Sequence, residues 1–281
     1  MGQDFYNDAP AARDIFEQAA ALGPAGFLES IFSGEQGGLN HTQTAQPALL
    51  TVEVAIARHL IAKGTAPTGC AGHSLGEIPA LVIAGALTFE DAFRLTQERA
   101  RLMSENIPAG GMAAVMGLDA DAIEAALPTG VQVANYNGPG QTIISGTVQG
   151  IRDSEERLKA AGAKRVIALQ VSGPFHSELM RHAAEQFETY LRAVPIAAPT
   201  VAFISSVTGG QVIDLELIRD LLARQLYSPV RWTQVMQTVP PGAVYEVGPG
   251  NVLKGLAKRI EGAPEVQTLG TLAETASLQD L

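Results

Sequence analysis

The stretch Cys70-Ala71-Gly72-His73-Ser74-Leu75-Gly76-Glu77 stands between a short apolar run and a segment of small, helix-forming residues. Its core, Gly72-x-Ser74-x-Gly76, has the form of a nucleophile elbow, a sharp strand-to-helix turn that exposes a serine hydroxyl. Both glycines are expected to remove Cβ atoms that would clash in that turn. The Leu75 amide, at the start of the helix, is the expected oxyanion donor. The alternative is a glycine-rich turn with an incidental serine.

Composition limits the classes of protein that this chain can belong to. It has 281 residues, of which 46% are hydrophobic and 17% charged, so it can bury a substantial core. The formal net charge of −10 argues against a general nucleic-acid binder, which needs a basic surface to displace counterions. An acidic partner would have to dock on a local basic patch.

Cys70 is the single cysteine, so the chain can form no internal disulfide and no cysteine-rich metal site. This composition suits a reducing cytoplasm. The sequence shows no secretory signal and no apolar run of membrane-spanning length. We therefore expect a cytoplasmic protein without a metal and without membrane association.

The order of predicted elements indicates an α/β fold. Strands alternate with helices before residue 109 and after residue 172, which predicts a mainly parallel sheet covered on both faces, as in an α/β-hydrolase-like core. Between them, residues 110–171 read as β-α-β-β-α-β, the ferredoxin-like order. We predict a large subdomain of residues 1–109 and 172–281 and a small ferredoxin-like subdomain of residues 110–171.

A serine nucleophile needs a base, and five histidines are available. His73 lies inside the elbow, where its side chain is expected to point away from Ser74, and His59 lies on an apolar helix. His176 is the best candidate, because it sits in a Gly-Pro-containing loop that can aim a side chain across a cleft.

Four motifs together resemble one family. They are Gly72-His73-Ser74-Leu75-Gly76-Glu77, Val133-Ala134-Asn135-Tyr136-Asn137-Gly138-Pro139-Gly140-Gln141, Gly173-Pro174-Phe175-His176-Ser177 and Tyr245-Glu246-Val247-Gly248-Pro249-Gly250. In this order and spacing they are similar to the malonyl-CoA:acyl carrier protein transacylases of fatty-acid synthesis, in register from about residue 4 to residue 260.

The resemblance implies a ping-pong acyl transfer without a metal or organic cofactor. Ser74 would attack the malonyl thioester of malonyl-CoA, and His176 would take its proton and return it to the departing CoA thiol. The phosphopantetheine thiol of acyl carrier protein would then collect the malonyl group. In this family a main-chain carbonyl orients the histidine, and the matching residue here is Gln225.

The resemblance also assigns substrate-binding residues. Arg99 matches the arginine that holds the free malonyl carboxylate, a role that suits a guanidinium fork. Phe175 matches a bulky residue that crowds an α-methyl group, and Asn135 and Asn137 match positions that line the cleft. Each has a structural alternative: Phe175 as a packing side chain, the asparagines as turn residues, and Arg99 as a surface or capping arginine like Arg94 and Arg101.

The acidic carrier protein would need a basic landing surface. We expect it at Lys254, Lys258 and Arg259 on the last basic helix, with Lys164 and Arg165 as further candidates. An ordinary solvated helix face is the alternative.

The resemblance breaks at the front of the chain. Family members open with a strand and a Pro-Gly-Gln-Gly-Ser-Gln loop whose glutamine amide is the second oxyanion donor, and the present sequence matches only the region after that loop. We expect a start assigned too far downstream or a shortened chain, with unpaired sheet edges where that strand would lie. Loss of one oxyanion donor typically costs about 10²–10³ in turnover.

Two other functions remain open from the sequence. A serine esterase or thioesterase of the α/β-hydrolase type would need an Asp or Glu between Ser74 and His176 in chain order, and no acid there stands out. A catalytically impaired, truncated acyltransferase that serves as a binding subunit is the other.

Overall fold

The computed structural model describes residues 1–33, 41–276 and 278. Its helices are Gln3–Asp8 (α1), Pro10–Leu22 (α2), Phe27–Ser33 (α3), Thr42–Ala62 (α4), Glu77–Ile83 (α5), Phe89–Leu102 (α6), Ala120–Ala126 (α7), Val148–Ala160 (α8), Arg181–Leu191 (α9), Leu215–Arg224 (α10), Trp232–Thr238 (α11), Val252–Ala257 (α12) and Leu272–Ala276 (α13). Its strands are Gly69–Ala71 (β1), Gly110–Met116 (β2), Val131–Gly138 (β3), Gln141–Thr147 (β4), Arg165–Ala168 (β5), Ala202–Ile204 (β6), Val244–Val247 (β7) and Val266–Leu269 (β8). Short 3-10 helices span Ser74–Gly76 and Glu178–Met180.

The predicted α/β class is confirmed, but the parallel strands do not form one sheet. β1 pairs with β6 and β7 with β8, each in parallel, and the two pairs stand apart among the described residues. A cavity of about 720 Å³ is lined by residues of both pairs, among them Cys70 and Tyr245. Within the described chain, β1 and β7 each pair with one strand only.

The four remaining strands form an antiparallel sheet in the order β3-β4-β2-β5. With α7 and α8 they follow the β-α-β-β-α-β order predicted for this stretch. The helices pack on this sheet over a core of their own, formed by Val115, Ile123, Ile144 and Leu158. β3 also bridges to the rest of the chain, because the amide of Tyr136 donates to the Val230 carbonyl at 2.8 Å.

Two helices support the site directly. α4 is apolar on nearly every side and is buried along most of its length. α6 is capped at its N-terminus by Thr88, whose hydroxyl accepts a 3.0 Å hydrogen bond from the Asp91 amide. Its inner face carries Arg99 into the interior, where this side chain is only 2% exposed.

Candidate active site

The turn after β1 is built around one close backbone approach. A Cβ atom on Gly72 would lie 1.8 Å from the carbonyl carbon of Gly76, so only glycine fits there. A Cβ on Gly76 would meet nothing within 4 Å, and Gly76 has ordinary helical angles. The expectation that both glycines relieve a clash is thus correct for Gly72 and wrong for Gly76, because a Cβ atom at Gly76 would point into open space.

Two candidate catalytic residues have a strained backbone conformation. Ser74 has φ of 52° and His176 has φ of 57°, and only one other non-glycine residue of the described chain, Asn106, lies in this region. Such angles cost on the order of 1–3 kcal/mol and persist only where the surroundings enforce them. Two strained residues from distant parts of the chain meet at one point.

Ser74 and His176 are in hydrogen-bond contact. The Oγ atom of Ser74 lies 2.9 Å from Nε2 of His176. On the other side of the ring, Nδ1 lies 2.8 Å from the Gln225 carbonyl oxygen and 3.2 Å from that of Ser228. Carbonyls only accept, so Nδ1 carries the proton and Nε2 accepts from the serine hydroxyl. This is the tautomer that a general base needs.

The surroundings keep His176 neutral. Burial first, and then the positive charge of Arg99, lower its pKa to about 3, although the hydrogen bond to the Gln225 carbonyl acts in the opposite direction. A neutral imidazole is therefore available at any pH near neutrality to accept the serine proton.

Arg99 points into the same site. Its Nη2 donates to the Ser74 Oγ at 3.0 Å and to the Gln225 Oε1 at 2.8 Å, and its Nη1 donates to the Gln46 Oε1 at 2.6 Å. Burial lowers the pKa of Arg99 to about 10, partly offset by the charge of Glu77, so the group stays cationic. A buried guanidinium held by neutral acceptors retains its charge for an anionic substrate group.

Sequence reasoning missed two side chains of this network, Gln46 and Glu77, and the second carbonyl, that of Ser228. Glu77 is only 1% exposed and accepts hydrogen bonds from the Ser206 amide and from Nε2 of Gln225. Burial raises its pKa to about 7, against these hydrogen bonds, which lower it. The one available signal was the position of Glu77 three residues after Ser74, within the elbow motif itself.

Leu75 is the second residue of the 3-10 helix Ser74–Gly76, so its amide has no acceptor within that helix. Its side chain packs against the main hydrophobic core. The amide is thereby fixed next to Ser74, at the start of a helix.

Phe175 is half-buried between two hydrophobic clusters, the main core and a small one that includes Met112 and Ile143. The two asparagines are both buried. Asn137 Oδ1 lies 2.9 Å from Nε2 of His73, whose ring also packs on Trp232. Asn135 forms a backbone bridge with Val230. The side chain of His73 is thus engaged away from Ser74.

The remaining candidates lie elsewhere. Arg94 and Arg101 form exposed ion pairs along α6, with Glu90 and with Glu98 and Glu105 respectively, so their predicted surface location is confirmed. His59 is buried against Phe5, as expected for a core histidine.

Four of the five basic residues expected to receive a partner lie near one row of side chains, and the fifth, Lys254, is half-buried on α12. Arg165, Met116 and Gln141 lie side by side across β5, β2 and β4, and Nη1 of Arg259 donates to the Gln141 Oε1 at 2.6 Å. Lys258 and Lys164 are exposed next to Arg259 and Arg165 in the chain. We call Lys164, Arg165, Lys258 and Arg259 the basic surface.

The described residues contain no group of three or more His, Cys, Asp or Glu side chains that could hold a metal ion. Within the same part of the chain, none of the helices has the length and apolar character to cross a membrane.

Comparison with known proteins shows the family of this chain. Residues 1–273 match the acyl transferase domain family. The chain is 42% identical over 271 residues to the malonyl CoA-acyl carrier protein transacylase of Bacillus subtilis strain 168, covering 92% of this chain and 86% of that protein. It is 41% identical over 271 residues to the Escherichia coli K12 protein of the same name, covering 92% and 88%.

Solved structures show the same fold. The acyl carrier protein S-malonyltransferase of Vibrio cholerae superposes with a TM-score of 0.94 at 36% identity, over 99% of this chain and 94% of that one. A malonyl transacylase solved in complex with a type II polyketide synthase acyl carrier protein gives a TM-score of 0.93 at 35% identity, over 100% and 94%.

Proposed function

Because this chain belongs to the acyltransferase family of malonyl-CoA:acyl carrier protein transacylases, we propose that it transfers the malonyl group of malonyl-CoA to the phosphopantetheine thiol of acyl carrier protein, in fatty-acid biosynthesis. The observation that carries the proposal is the contact of one serine oxygen with both a neutral imidazole and a buried guanidinium. Ser74 is the nucleophile, His176 the base, and Arg99 the cation that fits a carboxylate.

In the first half-reaction, Ser74 Oγ attacks the thioester carbonyl carbon while its proton moves to Nε2 of His176. The Leu75 amide donates to the oxygen on which negative charge develops. When the tetrahedral intermediate collapses, the C–S bond breaks and His176 returns the proton to the CoA sulfur. The malonyl group is left as an ester on Ser74.

The second half-reaction reverses these steps with a new thiol. The phosphopantetheine thiol gives its proton to His176 and attacks the ester carbonyl, and Ser74 regains its proton as it leaves. The carbonyls of Gln225 and Ser228 hold the imidazole in one tautomer through both halves. They stabilise an imidazolium less than a carboxylate would, which suits a base that must give its proton back.

Arg99 selects the acyl group. The free carboxylate of a malonyl group needs a buried positive partner, and the guanidinium fork binds carboxylates with two hydrogen bonds. To accept it, Nη2 exchanges its contact with Ser74 for a substrate oxygen. Phe175, next to His176, limits the space at the α-carbon of the acyl group, and Asn135 and Asn137 support the cleft from the small subdomain.

The partners we propose are malonyl-CoA and acyl carrier protein, which docks on the basic surface near Lys254. The row from Arg165 through Gln141 to Arg259 supports this docking. It brings a positive charge of the small subdomain close to one of the large subdomain, so that the two form one basic area. Val252, 67% exposed at the start of α12, adds an apolar contact beside it.

All groups in this mechanism come from the chain, so we expect the reaction to need no metal and no organic cofactor. We propose the cytoplasm as its location, since the thiol of Cys70 is unpaired and half-buried. A hydrolase of the serine–histidine–acid type is less well supported, because no carboxylate among the described residues hydrogen-bonds to His176.

The test is covalent labelling with radiolabelled malonyl-CoA. The protein should release CoA in a burst and retain label on the peptide that contains Ser74, and Ser74→Ala should retain none. Ser104→Ala is the matched control, because that hydroxyl donates only to carbonyls in the last turn of the preceding helix, α6. Label that persists in Ser74→Ala, or binding without any burst, would refute the proposal; the second result is the one expected of an impaired binding subunit.

A further inference from the structure

Glu77 is a buried acid for which the acyl-transfer steps have no use. Its two oxygens accept hydrogen bonds from the Ser206 amide and from the Gln225 side chain, and it lies three residues after the nucleophile. Burying a carboxylate is costly unless it has a structural or functional partner. Neither of these hydrogen bonds goes to a cation.

Gln225 connects Glu77 to the reacting groups. Its Nε2 donates to Glu77 and, at 3.0 Å, to the Ser74 carbonyl oxygen. A carbonyl and an ionised carboxylate only accept, so the NH₂ group must face them and the amide oxygen must face the other way. That oxygen lies 2.8 Å from Nη2 of Arg99. Without the Glu77 carboxylate, only the Ser74 carbonyl would hold the Gln225 amide in this orientation.

The same arrangement explains how a buried guanidinium keeps its charge. Within the described chain Arg99 forms no ion pair with a carboxylate, and its hydrogen bonds go to neutral oxygens, although Glu77 is close enough to raise its pKa. A carboxylate in direct contact would compete with the substrate for the guanidinium. A carboxylate that is separated from the guanidinium by the Gln225 amide stabilises the positive charge without occupying the N–H groups that would bind the substrate.

We propose that Glu77 is a positioning residue that acts through the Gln225 amide to hold Arg99 ready for the substrate carboxylate. This role rests on the proposed function. Glu77 touches no reacting atom; it fixes which end of Gln225 faces the guanidinium. Gln225 thus serves the site twice, with its main chain on His176 and its side chain on Arg99.

A double-mutant cycle tests the proposal, with kcat/KM measured for malonyl-CoA and for acetyl-CoA. Glu77→Gln keeps the shape and removes the charge; Gln225→Leu removes the amide and keeps the carbonyl that holds His176. Each should lower kcat/KM for malonyl-CoA about tenfold or more, the range for a hydrogen bond to a charged group, and change the acetyl-CoA value far less. The double variant should be no worse than Gln225→Leu alone.

Glu90→Gln is the matched control, since Glu90 forms only an exposed pair with Arg94. Additive losses, or equal losses with both thioesters, would overturn the proposal, because they are what a purely structural role predicts. If Glu77→Gln does not fold, unchanged selectivity in Gln225→Leu overturns it equally. A wild-type protein that does not transfer malonyl groups would instead refute the proposed function.

Discussion

The main-chain carbonyl oxygen of Gln225 lies 2.8 Å from Nδ1 of His176. The base of this site is therefore oriented by a neutral group. Because a carbonyl does not change charge with pH, the protonation of His176 is governed mainly by burial and by Arg99. This has a measurable consequence for the pH dependence of the reaction.

The first prediction concerns that pH dependence. His176 acts as a base only when neutral, and its pKa is lowered from 6.5 to about 3, so it should add no limb to the rate profile between pH 5 and 8. The pKa of Glu77 is raised from 4.5 to about 7 by burial, whereas burial lowers that of the neighbouring His73. Glu77 therefore changes charge in this range: it is ionised above about pH 7 and neutral below.

We expect kcat/KM for malonyl-CoA to fall as the pH drops through about 7 in the wild type, and to stay level between pH 5 and 8 in Glu77→Gln. The measurement is kcat/KM at half-unit steps, which reports the free enzyme. A limb near pH 6.5 that survives in Glu77→Gln would assign it to His176 and contradict the low pKa.

The second prediction concerns Arg99. Arg99→Met fills the space but removes the cation, so kcat/KM for malonyl-CoA should fall at least about a hundredfold, while the value for acetyl-CoA should hold or rise. Competition between the two thioesters measures the change. Arg101→Met, an exposed residue of the same helix, should behave as wild type. Unchanged malonyl preference in Arg99→Met would exclude the carboxylate-binding role.

The third prediction concerns Phe175. If its ring crowds the α-carbon, Phe175→Leu should raise the kcat/KM for methylmalonyl-CoA relative to malonyl-CoA by about tenfold, since one methyl group is worth about 1–3 kcal/mol in such a pocket. The thermal melting midpoint must be measured alongside, because Phe175 also packs between two clusters. A loss of stability without a change in this ratio would make Phe175 a packing residue only.

The fourth prediction concerns carrier-protein docking. Lys258→Glu combined with Arg165→Glu should slow transfer to acyl carrier protein at least about tenfold and leave the burst of CoA release unchanged, with the effect diminishing at high salt. Lys159→Glu, an exposed lysine on α8 paired with Glu155, is the control. Equal loss in both half-reactions would argue against a docking surface.

The fifth prediction separates the two elbow glycines. Gly72→Ala should abolish activity and destabilise the protein, because its Cβ would overlap the backbone of Gly76. Gly76→Ala should be tolerated, with an unchanged melting midpoint and activity within about threefold of wild type. Similar losses of stability and activity in both variants would show that Gly76 also has no room for a Cβ atom.

The sequence was sufficient to predict the residues whose chemistry or motif marks them. Ser74 was found from its elbow, His176 from its loop, and Arg99 from its match to the family arginine. Gln46 and Glu77 were missed because an amide or an acid on a helix carries no local sign of what it contacts, and their partners come from residues 53 and 148 positions away. The local sequence pattern could not predict that β1 and β7 lie in separate sheets, because strand pairing depends on contacts between distant parts of the chain.

The left-handed backbone conformation of Ser74 lowers the stability of the fold at the residue that the proposed reaction requires. Glycine adopts that conformation freely, so Ser74→Gly relieves about 1–3 kcal/mol of backbone strain, against the loss of the hydroxyl's contacts with His176 and Arg99. A laboratory selection for heat resistance, run without a screen for activity, should therefore enrich Ser74→Gly. Such a selection would then yield a more heat-resistant protein that has lost its proposed nucleophile.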